Sequence, residues 1–283
     1  MKEMWLLLSG AFLISSVANA AEDFLVDRLK SQGFTCAPAE GGDLCKTARV
    51  QSSEFNYSQP IAVFVPKNVR HPTRMVLHLH GHRCICEPCD TSVEKMISAS
   101  HLTTQMKEAA GSNAVLILPT STGKCVNFDE ELAPRFSQFA QWTKKTIQPA
   151  EERWTLSGHS GAGRALGTIV GNAAKNNPEL LKKMDGVTLL DATYSTSEPV
   201  ITAWKNAVKA NPRLQIYSII QNGGGTETGN RLLKNALPPE NFSSEKTKTA
   251  HCGIPGSSFA EGLRRVLPAK AACCLTQPQS GSR

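Results

Sequence analysis

The sequence predicts an α/β fold in which a largely parallel central sheet carries helices on both faces. Three observations lead there. Short apolar runs rich in β-branched residues recur at Ile61 to Val65, Met75 to Leu79, Ala114 to Leu118, Trp154 to Leu156, Val187 to Leu190 and Leu214 to Ile220. Helix-compatible stretches separate them: Ser92 to Ala110, Arg135 to Thr146, Gly163 to Lys175, Val200 to Ala210 and Arg231 to Leu237. Strands that alternate with helices form βαβ units, and these build parallel pairs. Finally, several runs end in turn chemistry, at His80-Gly81, Pro119, Gly158 and Asn222-Gly223-Gly224-Gly225. In such sheets ligands bind beyond the carboxyl ends of the strands, so those turns are where chemistry is expected.

Two segments frame this region. Met1 to Ala20 has a short polar start with Lys2, an apolar run through Leu6-Leu7-Leu8 to Val17, and a small-x-small ending at Ala18-Asn19-Ala20. That is the pattern of a secretory signal peptide, which places the mature start at Ala21 and the protein in a secreted or periplasmic setting. About 260 residues remain for one domain over 21–283. No later stretch reaches the roughly 20 apolar residues of a membrane helix. Residues 24–29 carry apolar side chains at helical spacing, residues 34–50 show no clear period, and the polar tail 276–283 is expected to fray.

The formal charge is +7, and cleavage leaves it unchanged because Lys2 and Glu3 depart together. A positive surface favours weak association with anionic surfaces or polymers. The basic residues are scattered in pairs such as Lys144-Lys145, Lys182-Lys183 and Arg264-Arg265, with no stripe interleaved with aromatics, so the sequence carries no nucleic-acid module. Nine cysteines, none of them in the signal, suit an oxidising compartment. Cys36 and Cys45 flank a Gly-Gly loop and can close a local bridge. An odd total leaves at least one thiol outside intramolecular pairs.

The most informative stretch is Arg153-Trp154-Thr155-Leu156-Ser157-Gly158-His159-Ser160-Gly161-Ala162-Gly163-Arg164. A strand runs through small residues around one serine directly into a helix. Tight strand-to-helix turns need small side chains two residues to either side of the serine, here Gly158 and Ala162. The helix that follows aims backbone N–H groups at the turn, so the amide of Gly161 can stabilise an oxyanion.

The stretch resembles the nucleophile turn of the α/β-hydrolase family, with Gly-His-Ser-Gly-Ala in place of the commoner Gly-x-Ser-x-Gly. The resemblance implies a single α/β-hydrolase domain and a serine hydrolase with Ser160 as nucleophile. It also implies hydrolysis of an ester-bearing or polymeric substrate through an acyl-enzyme, with no cofactor. A peptidase or amidase using the same machinery on an envelope or extracellular polymer is the nearest alternative. Met75 to Arg83 looks like the family's oxyanion loop, which places the second oxyanion donor at the His82 amide and makes His80 a structural support. The family's chain order puts acid and base after the serine. His251 is the only histidine downstream, between a short last strand at Ser243 to Ala250 and a final helix near Ser257 to Val266. Asp191, at a strand end, is the preferred acid; Glu227, one strand later, is the other candidate. In the family's sheet order the strands before Cys84, Cys86 and Cys89 and before Cys125 are neighbours. On that basis Cys125 is expected to bridge one of the three, and Cys252 another.

Other chemistries compete for these residues. His78, His80 and His82 alternate, and three imidazoles on one strand face could hold zinc in a metal-dependent hydrolase, although Gly81 should break the strand before His82 aligns. The Cys84/Cys86/Cys89 spacing could serve a metal or redox site instead, and a noncatalytic binding protein could use the same fold. Between Asp191 and Leu214 there is room for about one helix and no large cap, so the site is expected to be open to bulky substrates unless residues 84–112 form a partial lid.

Overall fold

The computed structural model describes residues 24–82, 92–111, 113–122, 125–194 and 197–267. The expected signal peptide, the tail, Cys84, Cys86, Cys89, Cys273 and Cys274 lie outside them. The strands are β1 (Thr35–Ala39), β2 (Gly42–Thr47), β3 (Val50–Gln51), β4 (Asn56–Tyr57), β5 (Ile61–Pro66), β6 (Arg74–Leu79), β7 (Ala114–Pro119), β8 (Trp154–His159), β9 (Met184–Leu190), β10 (Gln215–Gln221) and β11 (Phe242–Thr247). The helices are α1 (Leu25–Ser31), α2 (Val93–Ala99), α3 (Leu102–Ala110), α4 (Phe136–Ile147), α5 (Ala162–Asn176), α6 (Pro178–Lys182), α7 (Glu198–Ala210), α8 (Glu227–Ala236) and α9 (Ile254–Val266). One nine-stranded sheet has the order β1-β2-β5-β7-β6-β8-β9-β10-β11, while β3 and β4 pair separately.

From β7 across to β11 every pair is parallel, and β1, β2 and β5 add an antiparallel edge. The central strands are buried along their whole length, which is why they read as continuous apolar runs. Their side chains alternate between two cores. One packs α1, α4, α5 and α7 against residues such as Val63, Leu77 and Ile117. The other packs α2, α3 and α9 against Phe64, Val76 and Leu116. Helices thus cover both faces, as the pattern predicts.

Topology places the site. The chain leaves β6 through α2 and α3 toward β7, crosses back over β6 through α4 to β8, and then continues in the opposite direction to β9. The direction reverses between β6 and β8, so a crevice opens between their carboxyl ends. Those ends carry His80-Gly81-His82 and His159-Ser160-Gly161.

Four details differ from the sequence expectations. The aperiodic segment 34–50 contains the β1–β2 hairpin, in which Cys36 and Cys45 stand directly opposite each other and form the local bridge the sequence allowed. The stretch 92–110 is two helices, because His101 adopts a left-handed conformation (φ 48°) and breaks it. A five-residue π-helix, Phe128–Leu132, precedes α4. Cys125, expected to be bridged, is a buried free thiol that donates to the His80 carbonyl at 3.7 Å. Burial, reinforced by Asp129, pushes its pKa up to about 12, so it stays protonated and inert. Cys252 is disulfide-bonded to a partner outside the described residues.

α5 seats itself on the Asp191 turn through Gly163. A methyl group there would lie 1.7 Å from the Ala192 carbonyl oxygen, a backbone atom that cannot swing aside. Gly163→Ala is therefore expected to destabilise the protein by about 1 to 3 kcal/mol through overpacking. Urea unfolding measures this; an unchanged midpoint would show that the turn relaxes freely.

Candidate active site

Ser160 lies between β8 and α5 with φ 54°, a left-handed conformation rarely adopted by a residue bearing a Cβ. Its N–H donates to the Leu190 carbonyl at 3.1 Å, which ties the turn to the end of β9. α5 follows at once, with Gly161 in the cap position and its N–H among those that find no partner within the helix.

Asp191 comes directly after Leu190, also at positive φ (47°), and is wholly buried. Its N–H donates to Ile219 O at 2.6 Å. Its carboxylate accepts from His251 Nδ1–H at 2.6 Å, from the Gln221 N–H at 3.2 Å and from the Thr226 hydroxyl. Burial works against ionisation, but the bonds from His251, Thr226 and Gln221 outweigh it and hold the carboxyl below its ordinary pKa. With Nδ1–H directed at the carboxylate, Nε2 of His251 is left as the basic nitrogen. The His251 backbone is held from both sides, its N–H donating to Gln221 Oε1 at 3.1 Å and its carbonyl accepting from His159 Nε2–H at 3.0 Å. The rings of Tyr194 and His251 meet nearly at right angles, with centroids 5.6 Å apart. Glu227, the other acid candidate, is engaged elsewhere, accepting from Gly223 N–H at 2.8 Å and pairing with Lys246 at 2.9 Å.

The turn after β6 abuts the serine. A Cβ on Gly81 would sit 2.9 Å from Ser160 Cβ and 2.6 Å from His159 Nδ1, so no larger residue fits between them. The His82 ring lies against Gly161 Cα. His80 holds the turn with both nitrogens: Nε2 accepts from Ser121 N–H at 3.0 Å, and Nδ1–H donates to Gly81 O at 2.7 Å. The peptide after Gly81 is trans, so pinning its carbonyl fixes the His82 N–H in the opposite direction.

His78, His80 and His82 do not form a ligand set. His78 and His80 share a strand face, where with His159 they border a cavity of about 30 Å³. His78 Nδ1 is bonded to Ser157 Oγ at 3.1 Å, and both ring nitrogens of His80 are engaged. Once past Gly81, His82 turns toward Gly161 instead. Among the described residues no group of three or more His, Cys, Asp or Glu side chains could hold a metal ion.

Sequence reasoning missed His159, Gln221, Thr226 and Tyr194. Gln221 ends β10, so the strand-end rule could have flagged it. His159 occupies a variable position of the serine motif and carries no signal of its own.

Solved structures of similar shape include a mutant of the feruloyl esterase module from Clostridium thermocellum complexed with sinapinate. It is 10% identical, covers 82% of this chain and 93% of that one, and has a TM-score of 0.56. Fungal esterase structures from Rhizomucor miehei are also similar, with 10% identity, coverage of 87% and 89%, and a TM-score of 0.54. So is an esterase from Pyrobaculum calidifontis, with 12% identity, coverage of 85% and 88%, and a TM-score of 0.51. The chain has the α/β-hydrolase fold. No family model and no curated protein sequence matches it. In this fold Asp191 stands at the end of β9, the strand that directly follows Ser160 in the chain. Among the described residues no helix is long and apolar enough to cross a membrane.

Burial, above all, lowers the pKa of both His78 and His159 to about 3. Below about pH 6.5 the unfolded chain binds protons at these positions, whereas the folded chain does not until near pH 3, so stability is lost as pH falls through that window. The melting temperature should therefore decline from about pH 7 to about pH 4, and His78→Gln should flatten the slope. A profile that is level over this range in the wild type would contradict the assignment.

Proposed function

We propose that this chain is a serine hydrolase that cleaves a carboxylic ester through an acyl-Ser160 intermediate. The observation that carries the reading is the 2.6 Å contact between His251 Nδ1 and Asp191, built onto the same strand ends as a serine in a left-handed turn. The esterases among the structures of similar shape favour an ester over an amide.

In the proposed reaction Ser160 Oγ attacks the substrate carbonyl carbon while His251 Nε2 takes the hydroxyl proton. Asp191 holds the imidazole in the Nδ1–H tautomer and stabilises the imidazolium that forms. The amides of Gly161 and His82 receive the tetrahedral oxyanion. His251 then passes its proton to the leaving alkoxide, which departs as an alcohol and leaves acyl-Ser160. Water, deprotonated by the same nitrogen, attacks the acyl carbon; the carboxylic acid leaves and Ser160 regains its proton. No step draws on a cofactor.

We place this activity outside the cytoplasm. The leader pattern of residues 1–20, the Cys36–Cys45 bridge and the bonded Cys252 support that setting. In the described residues the stretch between Asp191 and Leu214 holds α7 and no large cap, which supports an open site suited to a bulky or polymeric ester.

A fluorophosphonate probe should label the wild type and fail to label Ser160→Ala, with EDTA making no difference. Absence of label on folded wild-type protein would overturn the proposal. Asp191→Asn should lower kcat on p-nitrophenyl acetate by about 10³- to 10⁴-fold, because the amide stabilises the wrong tautomer of the base. Glu227→Gln should leave kcat near the wild-type value, and the reverse ranking of the two variants would assign the acid to Glu227.

A further inference from the structure

We propose that His159 is a positioning residue that clamps the base to the nucleophile turn. The inference rests on the serine-hydrolase reading and adds a residue to it. His159 immediately precedes Ser160, so any displacement of its ring or backbone is felt one residue away. Its side chain is almost entirely buried, with 4% exposed. Nε2–H donates to the His251 carbonyl at 3.0 Å, and the two rings lie 4.6 Å apart, tilted by 34°. On its other edge, Nδ1 faces Gly81 so closely that a Cβ there would come within 2.6 Å. Three segments distant in sequence therefore meet on one imidazole: the oxyanion turn, the nucleophile turn and the base loop.

The chemistry of the ring fits that task. A leucine or phenylalanine would fill the space without the cost of burying a polar group, but neither could donate to a backbone carbonyl. The Gln221 side chain already fixes the His251 N–H, so the two bonds hold its backbone at both ends. Of these two partners, only His159 is covalently continuous with Ser160. The clamp therefore relates base to nucleophile through one covalent link, whereas the contact from β10 reaches Ser160 only by way of Asp191 and Leu190. Geometry matters steeply here, since misplacement by about 1 Å can cost about 10²-fold in rate.

The test compares His159→Phe, which keeps an aromatic ring but loses the donor, with His159→Gln, which retains an N–H near the Nε2 position. In His159→Phe, kcat on p-nitrophenyl acetate and the rate of fluorophosphonate labelling should both fall by about 10²-fold, with KM changed by less than about threefold. His159→Gln should recover at least about tenfold of that loss at a melting temperature similar to that of His159→Phe. If the two variants lose activity equally at matched melting temperature, or neither loses any, the ring merely fills space and the inference fails. If the wild type is not labelled at all, the serine-hydrolase reading fails first. Should both variants fail to fold, the wild type decides alone: nitrogen-15 spectra of its histidines should show His159 as the Nε2–H tautomer, and an Nδ1–H tautomer would overturn the clamp.

Discussion

A carboxylate buried as completely as Asp191 has to be surrounded by donors, and meeting that requirement organises the strand ends. Without hydrogen bonds an ionised carboxylate away from water is too costly to keep. Its partners are drawn from three places: the imidazole of His251, the N–H of Gln221 at the end of β10, and the hydroxyl of Thr226 just before α8. Each fixes a loop that would otherwise be free to move, and Gln221 acts twice, its amide on Asp191 and its side chain on the backbone of His251. Because the Leu190 carbonyl also anchors Ser160, Asp191 and Ser160 belong to one bonded frame.

The turn after β6 is held by a second frame. His80 bridges Ser121 and the Gly81 carbonyl. Ser121 in turn donates its hydroxyl to Asn127, and Asn127 donates to Glu131 and to Ser58. The chain of bonds runs from the β4–β5 connection through the π-helix to the peptide that carries the His82 N–H. Phe128, within that π-helix, packs edge-on against His80 with centroids 4.9 Å apart. The irregular helix thus places both an aromatic ring and an acid beside this turn.

What could be read from the sequence follows from what each signal encodes. Central strands buried on both faces must be apolar throughout, so β5 to β10 were visible as runs. The β1–β2 hairpin lies at an edge, with side chains of mixed exposure, and its register is marked by a disulfide instead of a period. Helical spacing continues across His101 even though the backbone does not, because a left-handed residue leaves no mark on apolar periodicity. The bridge expected at Cys125 drew on strand adjacency. That adjacency is real, since the thiol reaches the carbonyl at the end of β6, but proximity to a strand is not proximity to another sulfur. Ser160 and His251 stood out by motif and chain order. The choice between Asp191 and Glu227 depends on where two strand ends point, and that is a property of the folded sheet.

Burial, more than residue type, divides the labour among the histidines at these strand ends. His78 and His159 are enclosed, and that enclosure lowers their pKa to about 3, so at neutral pH they remain uncharged and their protons stay where the hydrogen bonds need them. His251 is placed differently: its side chain is 19% exposed and its Nδ1 lies 2.6 Å from the Asp191 carboxylate. In the proposed reaction the proton from Ser160 goes to His251, and the imidazole tilted against it stays neutral. In that reaction the buried neighbour contributes by not titrating: a second charged ring 4.6 Å away would repel the proposed imidazolium.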